Sequence, residues 1–196
     1  ALPEVLARPQ AVVDVSISPS FHAEPALAFF ENAGRHIARA EREAGVGHHV
    51  ALSVVGTERL QDSGYFRAKL AQEELIKRSE IPYTIVRATQ FFEFLDGIAA
   101  AGTVDNRVRL TNASFQPVAA EDVARAVADA ALGSPLNDTI EIAGPERLPL
   151  SELIGRYLKH IKDPREVVTD PQAGYFGAPV GGRSLVVMAG PCSVES

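Results

Sequence analysis

Val50-Ala-Leu-Ser-Val-Val-Gly56 is followed, after a short polar connection, by Tyr65-Phe-Arg-Ala-Lys69. The first stretch belongs to a short apolar, β-branched run from His49 to Val55, which reads as a buried strand. Gln61-Asp-Ser-Gly64 is turn chemistry. From Tyr65 to Lys77 the apolar Leu70, Leu75 and Ile76 fall at helical spacing, with Gln72, Glu73, Glu74 and Lys77 between them. Residues i and i+4 share a helix face, so the Tyr65 phenol and the Lys69 ammonium point the same way. A strand ending at Ser53 brings its hydroxyl towards that face. Alone, such a pair reads as a solvated helix surface, so the flanks decide its meaning.

The same alternation extends in both directions. Ala11–Ile17 is a strand candidate that ends in Ser16, Ser18 and Pro19. Pro25 to Ala44 is a helix pattern carried by Leu27, Phe30, Ile37 and Ala40, and Gly45 stops it. Ile81–Arg87 is a third strand, entered through Pro82. Strands and helices of this length in alternation imply right-handed crossovers and a parallel sheet. The second half is less regular. A helical stretch runs from Phe91 to Ala101, and Arg107–Thr111 and Phe115–Val118 read as short strands. Val118–Leu132 is an amphipathic helix with Glu121 and Asp122 in its first turn, where the helix dipole favours acids. Thr139–Ala143 is a strand closed by Gly144-Pro145, and Ser151–Ile161 a helix with a serine cap. From Pro164 onward the periodicity fades. Residues 1–10 read as a helix end with Pro9 as its stop.

The chain has 196 residues, 46% of them apolar, enough for one domain or slightly more with a real core. No apolar run approaches the ~20 residues that span a bilayer, so a soluble, cytoplasmic protein without membrane contact is expected. The net charge is −6. Arg35, Arg39 and Arg42 alternate with Glu41 and Glu43, which is a solvated helix face rather than the cluster that phosphate backbones demand, so no direct nucleic-acid partner is expected. The single cysteine, Cys192, excludes an internal disulfide and a multi-cysteine zinc site. His48 and His49 read as a helix–strand turn with one ring exposed, and no metal site is expected. Of Phe91, Phe92 and Phe94, two are expected in the core. Tyr83 reads as buried packing.

With these elements in place, five segments resemble the extended and atypical short-chain dehydrogenase/reductase superfamily, and within it the NmrA-like NAD(P)-binding proteins. They are Gly45–Gly56, Tyr65-x3-Lys69, Pro82–Phe92, Pro117-Val-Ala-Ala-Glu-Asp-Val-Ala124 and Glu141-Ile-Ala-Gly-Pro-Glu146, in the family's order. The resemblance covers roughly residues 1–180. It implies an α/β fold, a Rossmann-like parallel sheet with helices on both faces and a small C-terminal α+β substrate lobe. Residues 1–90 would form the NAD(P)-binding part. Residues 91–180 would form the lobe, with one further Rossmann strand near 139–143, and 181–196 an irregular tail.

The resemblance also implies chemistry: an oxidoreductase using NAD(P), with NADP slightly preferred, on a small carbonyl or quinone-like substrate. Tyr65 would be the acid/base, Lys69 the ribose anchor and tuner of the phenol, and Ser53 the group that orients the substrate. A neighbouring cation is what lowers a phenol from its ordinary pKa near 10. Ser16 and Ser18 match the family's loop beside the cofactor, and Ala88, Thr89, Gln90 and Phe91 the loop flanking the nicotinamide. The alternatives are a non-catalytic NAD(P)-sensing regulator, or an inactive fragment.

That last alternative arises because no G-x-G-x-x-G or G-x-x-G-x-x-G occurs in the chain. By resemblance residue 1 falls in the helix before the family's fourth strand, so the phosphate-binding turn and the first three strands are expected to be missing. Strand 11–17 would then be an edge, and an apolar edge invites pairing with another chain. Self-association through it, or poor solubility, is expected. Leu185–Ser196 resembles a dozen residues of the first barrel strand in 3-deoxy-heptulosonate-phosphate synthases and reads as chance or as a sequence junction.

Overall fold

The computed structural model describes residues 10–175 and 178–179. The expected helix end before Gln10 and the stretch containing Cys192 lie outside the described residues. A parallel four-stranded sheet organises the rest. Its strands are β1 (Ala11–Asp14), β2 (His48–Val54), β3 (Tyr83–Ala88) and β7 (Asp138–Ile142), in the order β1-β2-β3-β7. Ser53 stands beside Arg87, and Arg87 beside Glu141. β1 has a partner on one side only among the described residues.

β1 ends at Asp14, earlier than the run to Ile17 implies. The Asp14 carboxylate accepts the backbone N–H of Ser16 at 2.9 Å, and this local bond turns the chain out of the ladder. Helix α1 (Ala23–Ala44) leads to β2 and has Pro25 in its first turn, where a missing N–H costs nothing. It closes on Gly45 at φ 69°, with the Gly45 and Val46 amides bonded to Arg42 and Glu41. This left-handed cap is why glycine is needed there. Helix α2 (Gly64–Lys77) leads to β3 and packs against α1. After β3 come a 3-10 turn at Phe92–Phe94 and α3 (Leu95–Ala101).

Side chains alternate across a strand. Ala51 and Ile85 meet Ile76 of α2, whereas Val50, Leu52, Val86 and Ala88 meet Val123 and Val127 of α4 (Ala120–Leu132). Helices therefore cover both faces of the sheet, as expected.

The small lobe contains β4 (Thr103–Val104), β5 (Arg107–Leu110), β6 (Ser114–Phe115), β8 (Leu148–Pro149), α5 (Leu150–His160) and β9 (Glu166–Thr169). Asp105 and Asn106 both have positive φ, the turn that matches the twist of a two-residue hairpin between β4 and β5. The fading periodicity after Pro164 conceals β9, which pairs in parallel with β5. A four-residue strand is too short to show a pattern. The expected strand at Phe115–Val118 is split: Ser114–Phe115 pairs with β8, while Val118 bridges to Phe91. A two-residue pair, β10 (Gly174–Tyr175) and β11 (Ala178–Pro179), follows β9. The lobe's α5 packs Leu150, Leu153, Ile154 and Leu158 into a core shared with Phe30, Phe66 and Phe115. Among the described residues no helix is long and apolar enough to cross a membrane.

Candidate active site

Parallel α/β sheets bind ligands outside the carboxyl ends of their strands. The chain-order segments singled out above converge there: Ser16 and Ser18 follow β1, Ser53 lies at the end of β2 and Ala88–Phe91 at the end of β3. Tyr65 sits in the first turn of α2, which follows β2.

Tyr65 is 4% exposed. Its ring makes edge contacts with Phe21 at 5.5 Å, Phe30 at 6.2 Å and Phe66 at 6.0 Å between centroids. Gly64 makes this arrangement possible. A Cβ at Gly64 would collide with the backbone and Cβ of Ala23, so only glycine lets the starts of α1 and α2 approach so closely.

Lys69, one turn further along the same face, is buried and lies 4.7 Å from the centre of the Phe30 ring. Its Nζ donates to the Leu52 carbonyl at 2.9 Å and to Gln72 Oε1. Burial pushes the Lys69 ammonium down to about 8, against the opposing pull of Asp14 and Glu73. Tyr65 and Lys69 thus share the Phe30 surface, and Lys69 reaches the residue next to Ser53.

Ser53 is held differently. Its hydroxyl donates to Glu73 Oε1 at 2.6 Å. Glu73 is itself clamped by Arg87, from Nε at 3.0 Å and Nη2 at 2.7 Å. Arg87 also reaches Glu58 at 2.7 Å and Glu141 at 3.7 Å. The hydrogen bonds that Arg87 donates to Glu73, ahead of the nearby carboxylate charges, raise the Arg87 pKa above its ordinary value.

In the loops, Ser18 Oγ donates to the Ser20 carbonyl at 2.8 Å, whereas the buried Ser16 Oγ has no hydrogen-bond partner among the described residues. Thr89 Oγ1 donates to the Gln116 carbonyl at 2.6 Å. The Val118 amide bonds to Gln90 O, and the Phe92 amide to Val118 O. The Pro117–Ala124 segment thereby pins the Ala88–Phe91 loop. Gly144 lies so close to the Pro117 carbonyl that a Cβ would clash, and Gln116 Nε2 bonds to Gly144 O at 2.6 Å. The Gly-Pro turn is thus tied to the same loop.

Other expectations fare unevenly. Phe91 is buried and Phe94 packs on the core, while Phe92 is exposed, as two of three in the core requires. Asp122 sits at the start of α4 beside Arg125, a helix-start charge. His48 and His49 form no turn: both open β2 and both are buried. His48 Nε2 meets Thr84 Oγ1 at 2.9 Å and His49 Nδ1 meets Glu41 Oε1 at 2.6 Å, so buried partners take the place of solvent.

Four residues escape the sequence pattern: Asp14, Gln72, Glu73 and Arg87. Gln72 and Glu73 read as the polar side of α2, yet both are buried. Their signal was indirect. Asp14 is the buried end of β1, an edge strand among the described residues, and Arg87 lies inside a central strand, and a charge taken out of water needs a partner.

A cavity of about 580 Å³ lies apart from this cluster, in the small lobe, lined by Glu152, Lys159, Asp163, Arg165 and Thr169 among others. None of the residues singled out above lines it.

Comparison with known proteins bears on the fold and the family. No curated protein matches the sequence significantly. The Bordetella bronchiseptica enzyme WbmH, solved with NAD+, superposes with a TM-score of 0.68 at 15% identity, covering 97% of this chain and 70% of its own. The Escherichia coli NADPH-dependent quinone oxidoreductase QOR2, solved with NADPH, gives 0.67 at 19% identity over 86% of this chain and 57% of its own. Triphenylmethane reductase from Citrobacter sp., solved with NADP(H), gives 0.61 at 20% over 88% and 59%. The chain thus spans little more than half the length of the last two. These likenesses establish the fold, the Rossmann-like α/β fold that these dinucleotide-bound proteins share. The family follows from the sequence itself, since the model of NAD(P)H-binding proteins matches residues 4–133, well over half of the chain. From the first strand of the sheet to the end of α4, then, this protein belongs to the NAD(P)H-binding family.

Proposed function

We propose that the protein is an NAD(P)-dependent oxidoreductase of the NmrA-like short-chain reductase type, acting on a small carbonyl or quinone-like substrate and taking NADP in preference to NAD. The observation that carries this reading is the buried Lys69, held at the Leu52 carbonyl beside Ser53 and one turn from Tyr65. The unpartnered Ser16 Oγ at the end of β1 also suits a ligand oxygen. The bound dinucleotide supplies the hydride. Lys69 has two of its three N–H bonds on protein oxygens, which leaves the third for a ribose hydroxyl. Its positive charge favours the Tyr65 phenolate, and Tyr65 passes a proton to the substrate oxygen. Ser16 and Ser18, with Ala88–Phe91, flank the cofactor.

One observation favours a second reading, a dinucleotide sensor without turnover. The Ser53 hydroxyl is committed to Glu73, so it is not available to orient a carbonyl in this arrangement. Titration calorimetry with NADPH and NADH, followed by assays on a carbonyl and quinone panel, separates the readings. Turnover that falls by roughly 10²–10⁴-fold in Tyr65→Phe supports the enzyme. Binding without turnover supports the sensor, and absence of binding to either dinucleotide overturns both.

A further inference from the structure

A buried polar chain runs from β1 to Lys69 on α2, and its members Asp14 and Gln72 have none of the roles above. Asp14, the last residue of β1, is 5% exposed. Its Oδ1 accepts the Ser16 amide at 2.9 Å and its Oδ2 accepts Gln72 Nε2 at 2.8 Å. Gln72 Oε1 accepts from Lys69 Nζ, which also donates to Leu52 O at 2.9 Å. The neighbours dictate the orientation of the Gln72 amide. A carboxylate only accepts and an ammonium only donates, so the amide must turn its N–H to Asp14 and its oxygen to Lys69.

We infer that Asp14 and Gln72 are positioning residues for Lys69. One buried carboxylate orients the lysine through Gln72 and, through the Ser16 amide, shapes the loop that carries Ser16 and Ser18. The inference rests on the reading of Lys69 as the ribose anchor.

The charges around Lys69 support this assignment. On its own helix, Glu73 is already engaged by the two-pronged Arg87 contact and by Lys77 at 3.7 Å. From α1 it meets the Phe30 ring, and from β1 Asp14. Asp14 makes no ion pair among the described residues, and the other charge it senses, His49 on β2, is held by Glu41 at 2.6 Å. Asp14 is thus the carboxylate left to sustain the Lys69 ammonium. For Asp14 itself, burial raises the pKa. The contact with Ser16, with Lys69 and His49 behind it, more than offsets that and leaves it below the usual carboxylate value.

The test reads Lys69 directly. The chain has four lysines, Lys69, Lys77, Lys159 and Lys162, so their 13Cε resonances can be followed through a pH titration, with the Lys69→Arg spectrum assigning Lys69. In the wild type Lys69 should titrate near 8. Asp14→Asn keeps the shape but removes the charge and one of the two acceptors. It should lower the Lys69 midpoint by about one unit. Gln72→Met breaks the chain while keeping Asp14 and should also lower the midpoint, which covers the case in which the Asn variant fails to fold. An unchanged midpoint in either folded variant overturns the inference, as does a wild-type Lys69 that titrates at the ordinary 10.5. None of these readouts needs turnover. Failure of dinucleotide binding in calorimetry would therefore strike the proposed function separately. Where the wild type is active, the alkaline limb of kcat/KM should move to lower pH in Asp14→Asn with the Lys69 midpoint.

Discussion

The two faces of the central sheet are built on different principles. Towards α4, Val50, Leu52, Val86 and Ala88 meet Val123 and Val127, and the contact is apolar apart from His48 and Thr84 near the opening of the strands. Towards α1 and α2, the same strands present His49, Ser53 and Arg87 and β1 presents Asp14, which meet Glu41, Gln72 and Glu73, while Lys69 reaches across to the Leu52 carbonyl. Both faces exclude water. Only the second pairs charges to do so, and removing one partner of a buried pair leaves an uncompensated charge. The residues proposed for catalysis lie on that side. The difference teaches that the apolar face secures the fold, and the polar face fixes the orientation of particular side chains at a cost in stability.

The largest effect should come from splitting the tightest cluster. Arg87→Ala leaves the buried Glu73 without its main partner, and it should cost about 3–5 kcal/mol in urea unfolding. A loss below about 1 kcal/mol would mean that the two faces are energetically alike.

Lys69 supplies a signed pH test. Its folded pKa, about 8, lies below the ordinary 10.5. Between those values the unfolded chain binds a proton that the folded chain does not, so this group makes stability rise with pH across that window, by about 3 kcal/mol in all. Below about 8 the penalty is constant. Urea midpoints at pH 7.5 and 10 for wild type and Lys69→Met should differ in slope accordingly.

On the apolar face, Val50→Ala removes a fully buried side chain and should cost about 2 kcal/mol with no change in pH dependence. Strand β1 serves both faces and, among the described residues, has a partner on one side only, with Val13 exposed. Sedimentation should show self-association that Val12→Lys reduces, and a monodisperse wild-type monomer would refute it. The smallest effect belongs to the solvent side of α1. Arg39 and Glu43 pair at 2.8 Å but are both exposed, so Arg39→Ala should leave the urea midpoint essentially where it is.

The sequence by itself determined the order of strands and helices, the parallel sheet and the position of Tyr65 and Lys69 on one helix face. Each of those follows from periodicity and chain order, which are local properties. The same holds for the glycine stop at Gly45. What only the tertiary structure decided is which polar residues are buried. Gln72 and Glu73 sit at positions that an isolated helix would give to solvent, and they turn inward because β1 and β3 present Asp14 and Arg87 to meet them. Ser53 looked like a free hydroxyl at a strand end, and Glu73, twenty residues away in the chain, engages it. β9 was hidden for a related reason, since its partner β5 lies almost sixty residues earlier. Pairing across such distances depends on charge and hydrogen-bond complementarity between elements, and that complementarity leaves no periodic trace in either segment alone.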